Sequence, residues 1–220
     1  MGGALNERFD ALLVHGDPAL TPLADALPTA AALRIPVQYT GLVSEPVPTD
    51  RPAGGPVGAA GDVLASIGGG ADAAGLLRLC REAWGQLDPA LRSGRHLLLC
   101  HGLDGGGASD SIDDVSALPF SDDFLRRLAG ADLSVSYAGY NTCTNLLATR
   151  VRAVVVPNPR MSDQAVRAGV LARLGVARVL LPGGLTAPSL AGAMADALQG
   201  PRPGHALALD GAERTVQRLE

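Results

Sequence analysis

The chain has 220 residues, 47% of them hydrophobic and 18% charged, with a net charge of −4 at neutral pH; this is the composition of a globular protein with a sizeable buried core. The acidic balance and the lack of any basic block exclude a nucleic-acid-binding surface, and no run of about 18 apolar residues predicts a membrane span. All 18 basic residues are Arg, so the Lys of a Walker loop or a pyridoxal Schiff base is missing, and a phosphate would be held by backbone amides, hydroxyls and Arg. The opening Met1-Gly2-Gly3-Ala4-Leu5 has no apolar signal region. Cys80, Cys100 and Cys143 lack metal-ligand spacing and lie in or beside apolar elements, which predicts buried free thiols in a reducing cytoplasm.

Taken in order, Phe9 to His15 predicts a buried strand, followed by a turn at Gly16-Asp17-Pro18. A short Ala/Leu-rich segment and a second strand-like piece, Val37 to Gly41, come next. Glu45 to Gly61 is rich in Pro and Gly without periodicity and reads as a linker. The expected division is therefore an N-terminal segment over 1–44, a linker over 45–61, and an α/β domain with a C-terminal tail over 62–220. In that last part strand and helix alternate. Val63–Ile67, His96–Cys100, Val115–Leu118, Leu133–Ser136, Ala153–Val156 and Val179–Leu181 are the strands. Ala73–Leu87, Asp122–Leu128, Thr142–Ala148, Asp163–Leu174 and Ser189–Leu198 are the helices. Short, continuously apolar strands between helices predict a parallel sheet covered on both faces, a Rossmann-like α/β domain. The tail from Gly211 to Glu220 reads as a short helix packed back toward the first segment.

Two turns of this domain carry the chemistry. Ser66-Ile67-Gly68-Gly69-Gly70-Ala71 joins the first domain strand to its helix. Three glycines permit either a tight turn or the close approach of a diphosphate to the main chain. Gly68-Gly69-Gly70-Ala71-Asp72-Ala73 also fits the G-x-G-x-x-G/A dinucleotide pattern. The acid expected to hold a ribose about 20 residues further on is absent, however, the nearest after the second strand being Asp104, so NAD and FAD rank below a sugar nucleotide. The second turn, Gly139-Tyr140-Asn141-Thr142, opens a helix whose unpaired amides and dipole favour an anion. Thr142 either meets a phosphate oxygen or caps the helix, and Tyr140 also reads as a packed ring.

The stretch from Ala131 to Leu147, together with Pro157-Asn158-Pro159-Arg160-Met161-Ser162-Asp163-Gln164, resembles the C-terminal, sugar-nucleotide-binding half of GT-B glycosyltransferases. The resemblance is to the family-28 type, which includes the bacterial GlcNAc transferase of peptidoglycan synthesis. It covers roughly residues 9 to 200 and implies that the glycine loop and the Gly139–Thr142 turn both face the donor diphosphate. In such relatives an acid three residues after the Thr meets the ribose; here Asn145 stands there, a weaker acceptor. Asp163 and Gln164 match an acid-Gln pair that meets the donor sugar, although Asp163 equally suits a first helical turn. Phe120 matches the loop at the nucleobase or is a core residue. Arg160 is the candidate diphosphate cation, its fork suiting bidentate contact, and Arg167 reads as a solvated surface residue.

The resemblance covers only half of such an enzyme. Relatives carry an N-terminal domain that binds the acceptor and supplies the base, and Phe9 to Leu42 resembles only its last portion. His15 is the candidate base, ahead of His101. No required metal or other cofactor is expected: Asp-x-Asp is absent, and Asp113-Asp114 and Asp122-Asp123 read as solvated acids. The expected activity is hexosyl transfer from a nucleotide-diphosphate sugar, UDP-linked by resemblance, in the cytoplasm, completed by a separate acceptor-binding subunit or accompanied by homo-oligomerisation. A non-catalytic nucleotide-sugar-binding module and a GT-B-like sugar-nucleotide epimerase are the alternatives.

Overall fold

Six short strands, buried and mostly apolar at the centre and more exposed toward the edges, build the sheet that organises most of the chain. The computed structural model describes residues 2–18, 20–48, 61–68, 73–101, 114–119 and 121–220. Its residues divide into a larger unit, Pro46–His205, and a smaller one formed by Met1–Glu45 with Ala206–Glu220.

In the smaller unit, helix α1 (Gly2–Arg8) is followed by strand β1 (Leu12–Val14), helix α2 (Leu23–Ala26), a 3-10 turn (Pro28–Ala32) and strand β2 (Val37–Tyr39). Helix α1 was not expected from the sequence. Its Asn6 amide donates to Ala32 O (3.0 Å) and accepts from Arg34 N (2.7 Å), tying the helix to the 3-10 turn. Strands β1 and β2 are parallel, with Leu12, Leu13 and Val14 opposite Val37, Gln38 and Tyr39. The predicted strand from Phe9 is shorter than its apolar run, and Phe9 itself is 57% exposed.

The larger unit continues with β3 (Val63–Ser66), α3 (Ala73–Gln86), α4 (Pro89–Arg92), β4 (Leu97–Cys100), β5 (Val115–Leu118), α5 (Phe124–Gly130), β6 (Leu133–Tyr137), α6 (Tyr140–Thr149), β7 (Arg152–Val156), α7 (Ser162–Arg173), β8 (Arg178–Val179) and α8 (Ala187–Gln199). All pairings are parallel, in the order β5-β4-β3-β6-β7-β8. Residues in register share a face. Val63, Ala65, Leu97, Leu99, Leu133, Val135, Val154 and Val156 form one apolar layer under α3 and α8. Leu76, Leu77, Cys80, Ala83 and Trp84 recur at helical spacing and supply the α3 side of that core. Leu64, Leu98 and Val155 alternate onto the opposite face, which α5, α6 and α7 cover with buried Leu125, Leu128, Leu146 and Leu171.

The expected α/β domain with a parallel sheet flanked by helices is therefore observed. Local chemistry sets its helix ends. Thr186 and Ser189 form a reciprocal capping box at the start of α8. Asp88 accepts from Ala90 N ahead of Pro89, starting the single turn of α4, which the sequence reading did not include. The three cysteines are free and buried, as expected; burial pushes the Cys80 and Cys100 thiols up to about 12 and Cys143 to about 11.

The tail is the helix α9 (Gly211–Leu219). As the sequence reading expects, it packs back toward the first segment, and it lies in the smaller unit. Asp210 bridges Val43 in antiparallel fashion, and Gly211 N donates to Leu42 O at 3.0 Å. Among the described residues no helix is long and apolar enough to cross a membrane.

Candidate functional site at the carboxyl edge of the sheet

The strand order makes β3 and β6 neighbours while their crossovers run in opposite directions, β3 toward β5 and β6 toward β8. Between two such strands the following loops part, and a crevice opens at their carboxyl ends. Ser66 and Ser136 are opposite each other just before it. The two turns singled out in the sequence both leave the sheet here.

After β3 the chain turns at Gly68, whose φ of +63° lies in the left-handed region that favours glycine. Gly69, Gly70 and Ala71, the rest of that expected diphosphate loop, fall outside the described residues, as does Phe120. After β6, Ala138 is followed by Gly139, the residue before α6. Gly139 has φ −63° and ψ 153°, a conformation open to any residue. A Cβ placed there would meet only Thr142 Oγ1, at an ordinary 3.5 Å. The fold therefore does not demand this glycine.

Helix α6 begins at Tyr140, two residues earlier than the spacing predicts. Its first closed backbone bond is Cys143 N to Gly139 O, 2.9 Å. The amides of Asn141 and Thr142 precede that bond, and the N-cap residue Gly139 offers no side chain to cap them. The capping role weighed for Thr142 is therefore not realised. Asn141, Thr142 and Asn145, spaced three and four residues apart, share the face above this terminus. Asn145 is half-buried, and its carbonyl accepts from Thr149 Oγ1 at 2.7 Å.

The loop after β7 closes against the same edge. Asn158 Oδ1 accepts from Arg160 N at 3.0 Å, and Asn158 O accepts from Met161 N at 3.0 Å, shaping the turn that presents the exposed Arg160. Gln164 is buried, 7% exposed. Its Oε1 accepts from both Ala138 N (3.1 Å) and Asn158 N (2.9 Å). Arg167 departs from the sequence reading: its side chain is only 22% exposed, because Nε donates to Ala138 O at 2.9 Å while Nη1 pairs with Asp163 at 2.8 Å. The hydrogen bond from Arg167 holds the Asp163 carboxyl below the usual carboxylate range. Of the residues read from the sequence, Gly68, Gly139, Tyr140, Asn141, Thr142, Arg160, Asp163 and Gln164 lie on the turns and helix starts at the carboxyl ends of β3, β6 and β7, with Asn145 one turn further along α6.

Ala138 and Asn158 were missed, since Ala138 acts through main-chain atoms and Asn158 through its N–H as well as through its side chain within the turn. For Arg167, read as a solvated surface residue, the available signal is its place four residues after Asp163, the spacing of a helical ion pair. His101 follows β4 and donates its backbone N–H to Leu118 O at 3.0 Å. His15 belongs to the smaller unit, where Nδ1 lies 2.9 Å from Thr40 Oγ1.

Comparison with known proteins finds glycosyltransferases. Residues 101–206 match the glycosyltransferase family 28 C-terminal domain. A UDP-N-acetylglucosamine--N-acetylmuramyl-(pentapeptide) pyrophosphoryl-undecaprenol N-acetylglucosamine transferase of Parasynechococcus marenigrum is 32% identical over 165 residues, which are 71% of this chain and 42% of that protein. Among solved structures, the glycotransferase of kitacinnamycin matches 94% of this chain and 49% of its own, with a TM-score of 0.65 at 23% identity. MurG of Acinetobacter baumannii matches 98% of this chain and 75% of its own, with a TM-score of 0.52 at 18% identity. The chain spans less than half the length of the curated relatives it matches.

Proposed function

Because residues 101–206 belong to the glycosyltransferase family 28 C-terminal domain, we propose that this chain is the donor-binding half of a glycosyltransferase that transfers a hexosyl group from a nucleotide-diphosphate sugar. The observation that carries this reading is the uncapped start of α6 at the point where the strand order reverses. The Asn141 and Thr142 amides and the helix dipole there suit a diphosphate. Gly139, which the fold does not require, leaves the space a phosphate occupies. A UDP-linked donor is supported by the name of the Parasynechococcus relative.

During transfer the leaving nucleotide diphosphate gains charge as the glycosidic bond breaks. The α6 amides, the Thr142 hydroxyl and Arg160 are the groups that stabilise it. Asn145 accepts from a ribose hydroxyl, and Asp163, kept ionised beside Arg167, accepts from a sugar hydroxyl. The nucleotide sugar is the substrate, and the reading calls for no further cofactor. His15, in the smaller unit, is the candidate base, its Nδ1 side occupied by Thr40. An acceptor-binding partner or homo-oligomerisation is expected to accompany this donor-binding half, and the buried free thiols favour the cytoplasm.

Isothermal titration with UDP, UDP-GlcNAc, GDP-mannose and dTDP-glucose tests the reading. The expected result is saturable heat with UDP and UDP-GlcNAc. No heat and no thermal shift with any of the four removes it. A second reading, a nucleotide-sugar-binding module without transferase activity, is favoured by the amide of Asn145 where relatives place an acid. Donor binding with no transfer after mixing with an acceptor-binding partner selects that reading.

A further inference from the structure

Ala138 is wholly buried, and both of its main-chain polar atoms are taken by side chains of one helix, α7. Gln164 Oε1 accepts its N–H at 3.1 Å, and Arg167 Nε donates to its carbonyl at 2.9 Å. Ala138 stands immediately before Gly139, so its two peptide planes set the direction in which α6 starts and its first-turn amides point. The same Gln164 oxygen accepts from Asn158 N at 2.9 Å, and Asn158 in turn shapes the turn that carries Arg160. An oxygen that receives two N–H groups cannot exchange places with its own NH2, so the amide is held in one orientation.

We propose that Gln164 and Arg167 are positioning residues, a clamp from α7 on Ala138 that aims the α6 amides and Arg160 at a common anion, and that Gln164 governs binding of the nucleoside diphosphate itself rather than of the sugar alone. The inference rests on the donor-binding reading and deepens it. Asp163 completes the clamp by holding the far end of the Arg167 guanidinium. Released from the clamp, the turn after β6 and the turn after β7 lose their shared fixed point, and the two halves of the anion site move independently.

The test separates a clamp from a sugar contact by comparing two ligands. Gln164→Met has similar length and no acceptor, and leaves the buried Ala138 N–H unpaired. It is expected to lower affinity for UDP and for UDP-GlcNAc by the same factor, about tenfold. Arg167→Ala is expected to show the same equal loss and carries the comparison if Gln164→Met does not fold. A loss confined to UDP-GlcNAc, with UDP unchanged, makes Gln164 a sugar ligand and overturns the proposal; so does unchanged affinity for both. Amide hydrogen exchange supplies a readout independent of nucleotide. In Gln164→Met the amides of Ala138 and Asn158 exchange faster while central β6 and β7 amides do not, and Gln164→Glu, which keeps the acceptor, restores their protection. Unaltered protection in Gln164→Met sinks the clamp whatever the nucleotide does. If the unsubstituted chain binds no nucleoside diphosphate, the donor-binding reading fails and the proposed effect on affinity falls with it, while exchange still reports whether the bonds to Gln164 exist.

Discussion

Gly139 offers a test in which stability and function move in opposite directions. Its φ and ψ are those of an ordinary helix N-cap residue, and α6 has no side-chain cap. A serine there would find its Cβ at 3.5 Å from Thr142 Oγ1, an ordinary contact, with its hydroxyl beside the amides of Asn141 and Thr142. Gly139→Ser is therefore expected to raise stability slightly, by a few tenths of a kcal/mol at most. The same hydroxyl occupies the donors that a phosphate needs, so affinity for UDP should fall, by about tenfold. Thermal melts and titration on one preparation check both signs. A variant that melts higher and binds UDP equally well shows that no anion sits on this turn. Asp163 carries a second residue-scale expectation. Its carboxyl is held below the ordinary range by Arg167, so the pair contributes stability above the unfolded carboxylate value and loses it as the pH falls through the lower folded value. The side chain is 57% exposed, and solvent screening keeps the contribution to roughly 0.3–0.5 kcal/mol. Asp163→Asn should melt slightly below the parent at neutral pH, and the difference should close in acid. A gap that persists unchanged at pH 2 assigns the effect to something other than this ion pair.

At the scale of elements, the C-terminal helix is held by contact too close for any residue but glycine. A Cβ on Gly211 would lie 2.6 Å from Gly41 O and 2.8 Å from Leu42 O, both backbone atoms that cannot swing aside. Gly211→Ala should therefore loosen α9 from the β2 end of its unit. Amides of α9 should exchange rapidly and a protease should clip the tail, with the β3–β8 sheet unaffected; a variant as protected as the parent shows that the backbone accommodates the methyl. Sequence periodicity said nothing of this contact, because residues about 170 positions apart make it and its sign is the absence of a side chain. The clamp on Ala138 was hidden for a related reason: Gln164 reaches a main-chain atom 26 residues away, and a resemblance to donor-binding relatives pointed the same side chain at a sugar. The sheet, by contrast, was legible, since β3, β4 and β7 are continuous apolar runs that suit burial on both faces. The start of α6 was read two residues late because Tyr140 and Asn141 are poor helix formers.

The molecule as a whole carries one element that its own unit leaves incomplete. Among the described residues β1 and β2 pair only with each other, so each keeps one edge of main-chain donors and acceptors without a strand neighbour. Parallel strands are ordinarily buried on both faces within larger sheets. Here Leu12 and Val14 are only half-buried and Val37 is 37% exposed. Phe9, Val216 and Leu219 of the same unit are 57%, 55% and 75% exposed. A short two-stranded parallel sheet with exposed apolar residues invites another strand. The chain is therefore expected to self-associate, or to take up a partner, through a contact centred on Leu12, Val14, Val37 and Tyr39. Light scattering at low micromolar concentration should report a mass above that of one chain, 22.3 kDa. Val37→Lys places a charge at the sheet edge and should shift the chain toward the monomer, because a buried unpaired ammonium opposes strand addition. Tyr39 keeps its hydroxyl bond from Leu23 N at 2.7 Å in either state, so the substitution probes the edge rather than the fold of the unit. A monodisperse monomer whose Leu12, Val14, Val37 and Tyr39 amides resist exchange would mean that the chain already covers these strands, and the expectation of a partner would fail.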